Sequence, residues 1–256
     1  MSIKSKFELT AIYVTAVMLV ASLISLGVRA SEAGSIEERY PSLYAENIVE
    51  MTVPEQKTVY LTFDDGPSRN TEKILDILKE ENVKATFFVC AQCAESVDVP
   101  ALLQRILAEG HEIGLHSYMH DYGKVYRSLE DYLEDLNKIN DYIFESAGYK
   151  SNILRFPGGS KSSNASSELM KRIIAEVTRR GYRYYDWNID SGDSTTEVNS
   201  AGYLSGKIIK NTKDRQQVIV LMHDSPGPKT TPEAVKIAIP ALREQRYVFD
   251  RLTPSV

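Results

Sequence analysis

Residues 58–67 read TVYLTFDDGP. Val59 to Phe63 is a run made of β-branched and aromatic residues apart from Leu61, the composition of a strand. Two adjacent carboxylates, Asp64 and Asp65, stand at its end, followed by Gly66-Pro67, a pair that ends a ladder rather than extending it. A turn in which one aspartate caps the next helix is one reading. The other uses both groups. Neighbouring side chains on extended backbone point different ways, which lets one carboxylate bind a metal while the other works as a base.

Working outward, similar runs recur at 85–89 (ATFFV), 112–116 (EIGLH), 152–156 (NILRF), 182–189 (YRYYDWNI), 218–223 (VIVLMH) and 247–252 (YVFDRL). Between them lie helical patterns at 71–82, 100–109, 129–147, 167–180, 201–213 and 231–245. The third is the clearest, with Leu129, Leu133, Leu136, Ile139 and Ile143 on one face before Gly148. Strands alternating with helices of this length indicate parallel β/α units, and seven strands suffice to close or nearly close a barrel. In such barrels the chemistry sits at the C-terminal ends of the strands.

Polar residues cluster at those ends. The third run ends in His116 and continues to His120; histidines four apart can converge on one ion, and a pair of surface histidines is the plain alternative. Ser117 stands where the zinc-protease helix needs its glutamate. The fourth run ends in Arg155, suited to hold a carboxylate, and then Gly158-Gly159. The fifth carries Asp186, Trp187, Asp190 and Asp193, and the sixth ends in Leu221-Met222-His223. His111 precedes its strand and reads as structural. Cys90 and Cys93 lack the second pair that a four-ligand zinc site needs, so Cys90 reads as strand packing, with a local disulfide as the lesser reading.

The remaining composition sets the context. The chain has 256 residues and a net charge of −5 with no long basic stripe, which argues against a nucleic-acid partner. Lys4 and Lys6 precede an uncharged run from Ala11 to Val28, which fits either a signal peptide cut after Ala30 or a membrane anchor. The lysines place the N-terminus inside and the rest of the chain outside. The expected organisation is signal or anchor at 1–30, spacer at 31–56 and one catalytic domain at 57–256, extracytoplasmic and either membrane-anchored or secreted.

TFDDGPS, HSYMH, RFPGG, the DWNIDSGD segment and VLMHDS, in this order, resemble the five motifs of the polysaccharide deacetylases, carbohydrate esterase family 4. The resemblance spans about residues 57 to 252. It implies a deformed (β/α)7 barrel and one divalent metal ion, usually zinc, used to hydrolyse N-acetyl groups on sugars. Position by position it makes Asp64 the base, and Asp65, His116 and His120 the metal ligands. It makes Arg155 the residue orienting the base, His223 the catalytic acid and Asp190 the aspartate that tunes it. Leu221 and Trp187 would line an acetyl-methyl pocket, and the Gly158 N–H would face the oxyanion. Two positions depart from the pattern: Gly158 replaces a usual tyrosine, and Ser194 a usual tryptophan. The leading expectation is a deacetylase of N-acetylglucosamine in peptidoglycan or chitooligosaccharide. An O-acetyl esterase on acetylated xylan and a non-catalytic glycan-binding protein are the alternatives.

Overall fold

The computed structural model describes residues 35–46, 50–92, 97–195 and 199–256. The apolar run at 11–28 and Cys93 lie outside these residues. Among the described residues, no helix is long and apolar enough to cross a membrane. Residues 35–41 fall in a separate unit, a short turn in which Glu38 N–H donates to the Ser35 carbonyl at 3.0 Å.

The body of the chain alternates strand and helix. Strand β1 (Thr58–Asp64) leads to α1 (Arg69–Glu80), β2 (Thr86–Cys90), α2 (Val99–Ala108) and β3 (Glu112–Ser117). A four-residue helix α3 (Tyr122–Val125), not expected from sequence, precedes α4 (Leu129–Ala147), β4 (Ile153–Leu154) and α5 (Ser167–Arg179). The rest is β5 (Arg183–Tyr184), β6 (Ile189–Asp190), α6 (Ala201–Thr212), β7 (Gln217–His223), α7 (Thr231–Glu244) and β8 (Val248–Asp250). Ser68, Ser128, Ser166 and Ser200 cap four of the helices through their hydroxyls, which satisfies N–H groups that helix starts leave open.

All strand pairs are parallel, in the order β5-β4-β3-β2-β1-β7-β6, with β8 beside the first half of β1. β1 is buried along its whole length, as a central strand covered on both faces must be. The sheet curls strongly, as Arg155 shows. In a flat sheet the strand leading into Arg155 would lie three spacings, about 14 Å, from β1, beyond an arginine's reach. Yet Arg155 Nη1 bonds Thr62 Oγ1 at 2.6 Å and Asp64 Oδ1 at 2.8 Å on β1. This is the deformed (β/α)7 barrel. Tyr60, Phe88, Ile153, Tyr185 and Leu252 pack together as one buried cluster.

The run 182–189 does not form the single strand expected from its composition. It divides because it bridges two parts of the sheet. Tyr185 N–H bonds the Leu154 carbonyl beside β4, whereas Asn188 N–H bonds the Ile219 carbonyl on β7. Part of the stretch expected to be a spacer is also packed. Leu43 is fully buried, and Ala45 N–H donates to the Arg180 carbonyl at 2.9 Å.

Candidate active site

The end of β1 delivers Asp64 and Asp65 in different directions because the chain turns sharply between them. Asp64 closes the strand, while Asp65 has φ +72°, a left-handed conformation that costs a non-glycine residue energy, though aspartate adopts it more readily than most. Asp65 N–H to the Phe88 carbonyl holds that turn at 3.2 Å. The next residue must be glycine, since a Cβ on Gly66 would lie 2.1 Å from Asp224 Oδ2.

β3 ends at Ser117, and the following loop brings His120 back beside His116. His120 also has positive φ, +51°, and its N–H is held by Ser117 Oγ at 2.9 Å. The anchor of this loop is Asp135 on α4. Its carboxylate accepts from Ser117 Oγ at 2.6 Å, Tyr118 N–H at 3.0 Å and Met119 N–H at 2.9 Å. Sequence reading missed this residue. The available signal was a carboxylate three residues after Tyr132 and four before Ile139, on the face that α4 buries.

Asp65 Oδ1 lies 3.3 Å from His116 Nε2 and 3.1 Å from His120 Nε2. One ligand atom from each of the three residues lies within 4.8 Å of the others. Ligands about 2.0–2.1 Å from a tetrahedral ion are about 3.3 Å apart, so the spacing fits a metal. The polar accounting agrees. Asp65 Oδ1 is buried with no hydrogen-bond partner, an expensive state for a carboxylate oxygen unless a cation faces it. His116 Nδ1 donates to the Arg155 carbonyl at 2.8 Å, which aims Nε2 at the centre and fixes the ring as outer-sphere partners of metal sites do.

The electrostatics follow the same lines. Burial pushes Asp65 up, but the close His116 imidazole, with His120 and His223, outweighs it and holds the carboxyl below its usual range. Burial would lower His116, and the Asp64 and Asp65 charges reverse that. At His120 burial prevails and the pKa falls.

Asp64 lies beside this trio, its Oδ2 3.9 Å from His116 Nε2. Arg155, fully buried, binds Asp64 while its Nε donates to the Tyr185 carbonyl at 2.8 Å and its guanidinium lies 4.2 Å over the Phe88 ring. Across the β1–β7 ladder, Asp64 and His223 are register partners. One further contact corrects the sequence expectation. The aspartate on His223 is Asp193, whose Oδ1 is 2.8 Å from Nδ1. Asp190 is exposed, and its Oδ1 accepts from Gly192 N–H at 2.7 Å. The turn formed there carries the chain three residues further before a carboxylate faces inward.

The remaining expected residues surround the centre. Leu221 is buried on β7 two residues before His223, hence on the same face. The Trp187 ring lies 5.7 Å from the Arg155 guanidinium. Gly158 is exposed with φ +74°, and a Cβ there would meet Tyr122 Cε1 at 3.3 Å. That tyrosine ring also packs edge-on against His120 at 5.3 Å, so it occupies space beside the glycine. His111, at the other end of β3, is buried, and its Nδ1 accepts from Ala85 N–H at 3.2 Å. Cys90 is buried in β2.

A curled parallel sheet with an Asp-His-His centre at its strand ends defines a class, the barrel-type α/β proteins with a metal centre. The family profile for polysaccharide deacetylase matches residues 52–184, and the chain belongs to that family. It is 32% identical to a peptidoglycan-N-acetylglucosamine deacetylase of Bacillus cereus, over 77% of this chain and 69% of that protein. Among solved structures it resembles the catalytic domain of a peptidoglycan N-acetylglucosamine deacetylase from Eubacterium rectale. That match has 32% identity and a TM-score of 0.76, covering 81% of this chain and 94% of that one. A family 4 acetyl xylan esterase from Clostridium thermocellum, solved with a cobalt ion, matches at 30% identity and a TM-score of 0.64. It covers 76% of this chain and 88% of that one. Deacetylases of this family use a divalent metal.

Proposed function

We propose that this chain hydrolyses the N-acetyl group of N-acetylglucosamine in peptidoglycan, using one zinc ion. The observation that carries this reading is the convergence of Asp65, His116 and His120 beside Asp64, whose register partner on the adjacent strand is His223. One carboxylate and two imidazoles suit zinc and leave a coordination position open. The ion, when bound, lowers the pKa of a water molecule and polarises the acetyl carbonyl.

The chain's own residues supply the rest. Asp64 takes the proton of the attacking water, and Arg155 holds that carboxylate in place. The Gly158 N–H donates to the developing oxyanion. Asp193 keeps His223 protonated and oriented, so that its ring gives a proton to the departing nitrogen. Leu221 and Trp187 receive the acetyl methyl. The apolar run at 11–28 supports an extracytoplasmic position for residues 57–256, as a tethered or a released domain.

The test is acetate release by the purified full chain with zinc added, measured on peptidoglycan, chitooligosaccharides and acetylated xylan. Release from peptidoglycan in preference to xylan supports the reading. Release from xylan alone transfers the site to O-acetyl esters, as in the xylan esterase relative. Stoichiometric zinc with no release from any substrate removes the enzymatic reading.

A further inference from the structure

A cavity of about 340 Å³ opens beside the metal-type centre, with Asp65 and His223 on its wall together with Lys229. Hydroxyl and amide groups of Ser194, Asn199 and Thr230 line it as well, donors and acceptors of the kind that bind sugar hydroxyls. Its two carboxylates are engaged elsewhere. Asp193 holds His223 and the Thr231 hydroxyl, and Asp65 faces the two histidines. Lys229 is exposed, and among the described residues no carboxylate lies within ion-pair distance of its ammonium.

The chemistry of the reaction decides what enters this space. When the acetyl group leaves, its nitrogen remains on the sugar, and that nitrogen must meet the proton donor His223. The sugar therefore lies on the His223 side, in the cavity that Lys229 shares. The charge of a cation with no partner among the described residues favours an anionic sugar over a neutral one. For a saccharide bearing a carboxylate close to the amide it supplies a complementary charge.

We infer that this cavity is a saccharide subsite in which Lys229 binds the free carboxylate of a lactyl ether, so that the chain prefers peptide-free, anionic muramic-type glycan to neutral chitin-type glycan. This inference rests on the deacetylase reading above. The lactyl group belongs either to the reacting sugar, on the carbon next to the amide-bearing one, or to the neighbouring sugar. Both present the same chemistry to the ammonium.

The experiment uses the zinc-loaded full chain and three soluble substrates. These are an alternating glucosamine–muramic oligosaccharide with free carboxylates, its carboxyl methyl ester, and chitotetraose, all N-acetylated. Methyl esterification should lower kcat/KM for acetate release about fivefold through KM, the scale of one partly exposed ion pair. Lys229→Gln should lower kcat/KM on the free acid by a similar factor. Both changes together should cost no more than either alone, because they remove the same contact. Lys229→Arg should keep the preference, and mass spectrometry of the products locates the lost acetyl and so tells which sugar carries the carboxylate. Equal kcat/KM on acid and ester by the unaltered chain overturns the inference, and this arm needs no variant to fold. So does a Lys229→Gln effect that persists in full on the ester. Absence of acetate from all three substrates fails the deacetylase reading instead.

Discussion

His223 Nδ1 lies 2.8 Å from Asp193 Oδ1, while Asp193 Oδ2 accepts the His223 backbone N–H at 2.7 Å and the Thr231 hydroxyl at 2.7 Å. One carboxylate thus grips the residue by ring and backbone together. It fixes Nδ1 as the bonded nitrogen, which leaves Nε2 as the nitrogen for the proposed proton transfer. Burial alone would lower the imidazole pKa, but Asp193 outweighs it, with smaller help from Asp64 and Asp65, and pushes it up to about 9.

In metal-free protein, His223 should accordingly titrate near 9 in an NMR pH series. Asp193→Asn should bring it down toward the ordinary 6.5, because burial remains and the largest opposing charge is gone. The folded pKa exceeds the unfolded one, so the pair's contribution to stability is complete below about pH 6.5. It is lost as pH rises through about 9. The unaltered chain should therefore lose its stability advantage over Asp193→Asn across that window. A His223 titration unmoved by the substitution would contradict this account.

Asp135 bonds none of Asp65, His116 and His120 directly, yet its three hydrogen bonds fix the loop from Ser117 to His120. Asp135→Asn keeps an acceptor oxygen but replaces the other with a donor, so at least one bond is lost. Zinc affinity should fall about 10- to 100-fold, as for other outer-sphere substitutions. Competition with a chelator measures it. Unchanged affinity in Asp135→Ala would mean that the strained His120 conformation is held by something else.

Arg155 and Asp64 form a pair that is almost wholly out of water. Removing one partner of such a pair leaves the other charge buried and uncompensated, which costs about 3–5 kcal/mol. Arg155→Ala should destabilise the domain by that amount in a denaturant titration. Arg155→Lys should restore little, since one ammonium cannot replace donors that reach Thr62, Asp64 and Tyr185 at once.

Much of the site was legible because its residues sit at strand ends, where hydrophobic periodicity breaks abruptly. Asp64, Asp65, His116, Arg155 and His223 all interrupt such runs. Helix α4 was equally legible, because its apolar stripe and Gly148, left-handed at φ +66°, bound it at both ends. What was not legible depends on loops. Asp190 and Asp193 are the same residue type three apart, and only the turn at Gly192 decides which faces His223. Asp135 lies within a helix whose pattern reads as packing. The division of 182–189 comes from barrel curvature, which a local period does not encode.

The last prediction separates two adjacent aspartates of identical chemistry. Asp65 Oδ1 stands between two imidazole nitrogens, whereas Asp64 Oδ1 is engaged by Arg155. Asp65→Ala should remove an ion ligand, so bound zinc and acetate release should both be lost. Asp64→Asn retains an oxygen that can accept from Arg155, so the fold and the zinc stoichiometry should survive. It has no basic oxygen to take a proton from water, and acetate release should fall by about 10²–10⁴-fold. His223→Ala should also keep the ion, and should slow amide hydrolysis more than ester hydrolysis, because an alkoxide leaves with less help than an amine anion. Metal content by elemental analysis and acetate release, measured side by side on the three variants, distinguish these roles. Near-normal turnover in zinc-loaded Asp64→Asn would show that another group is the base.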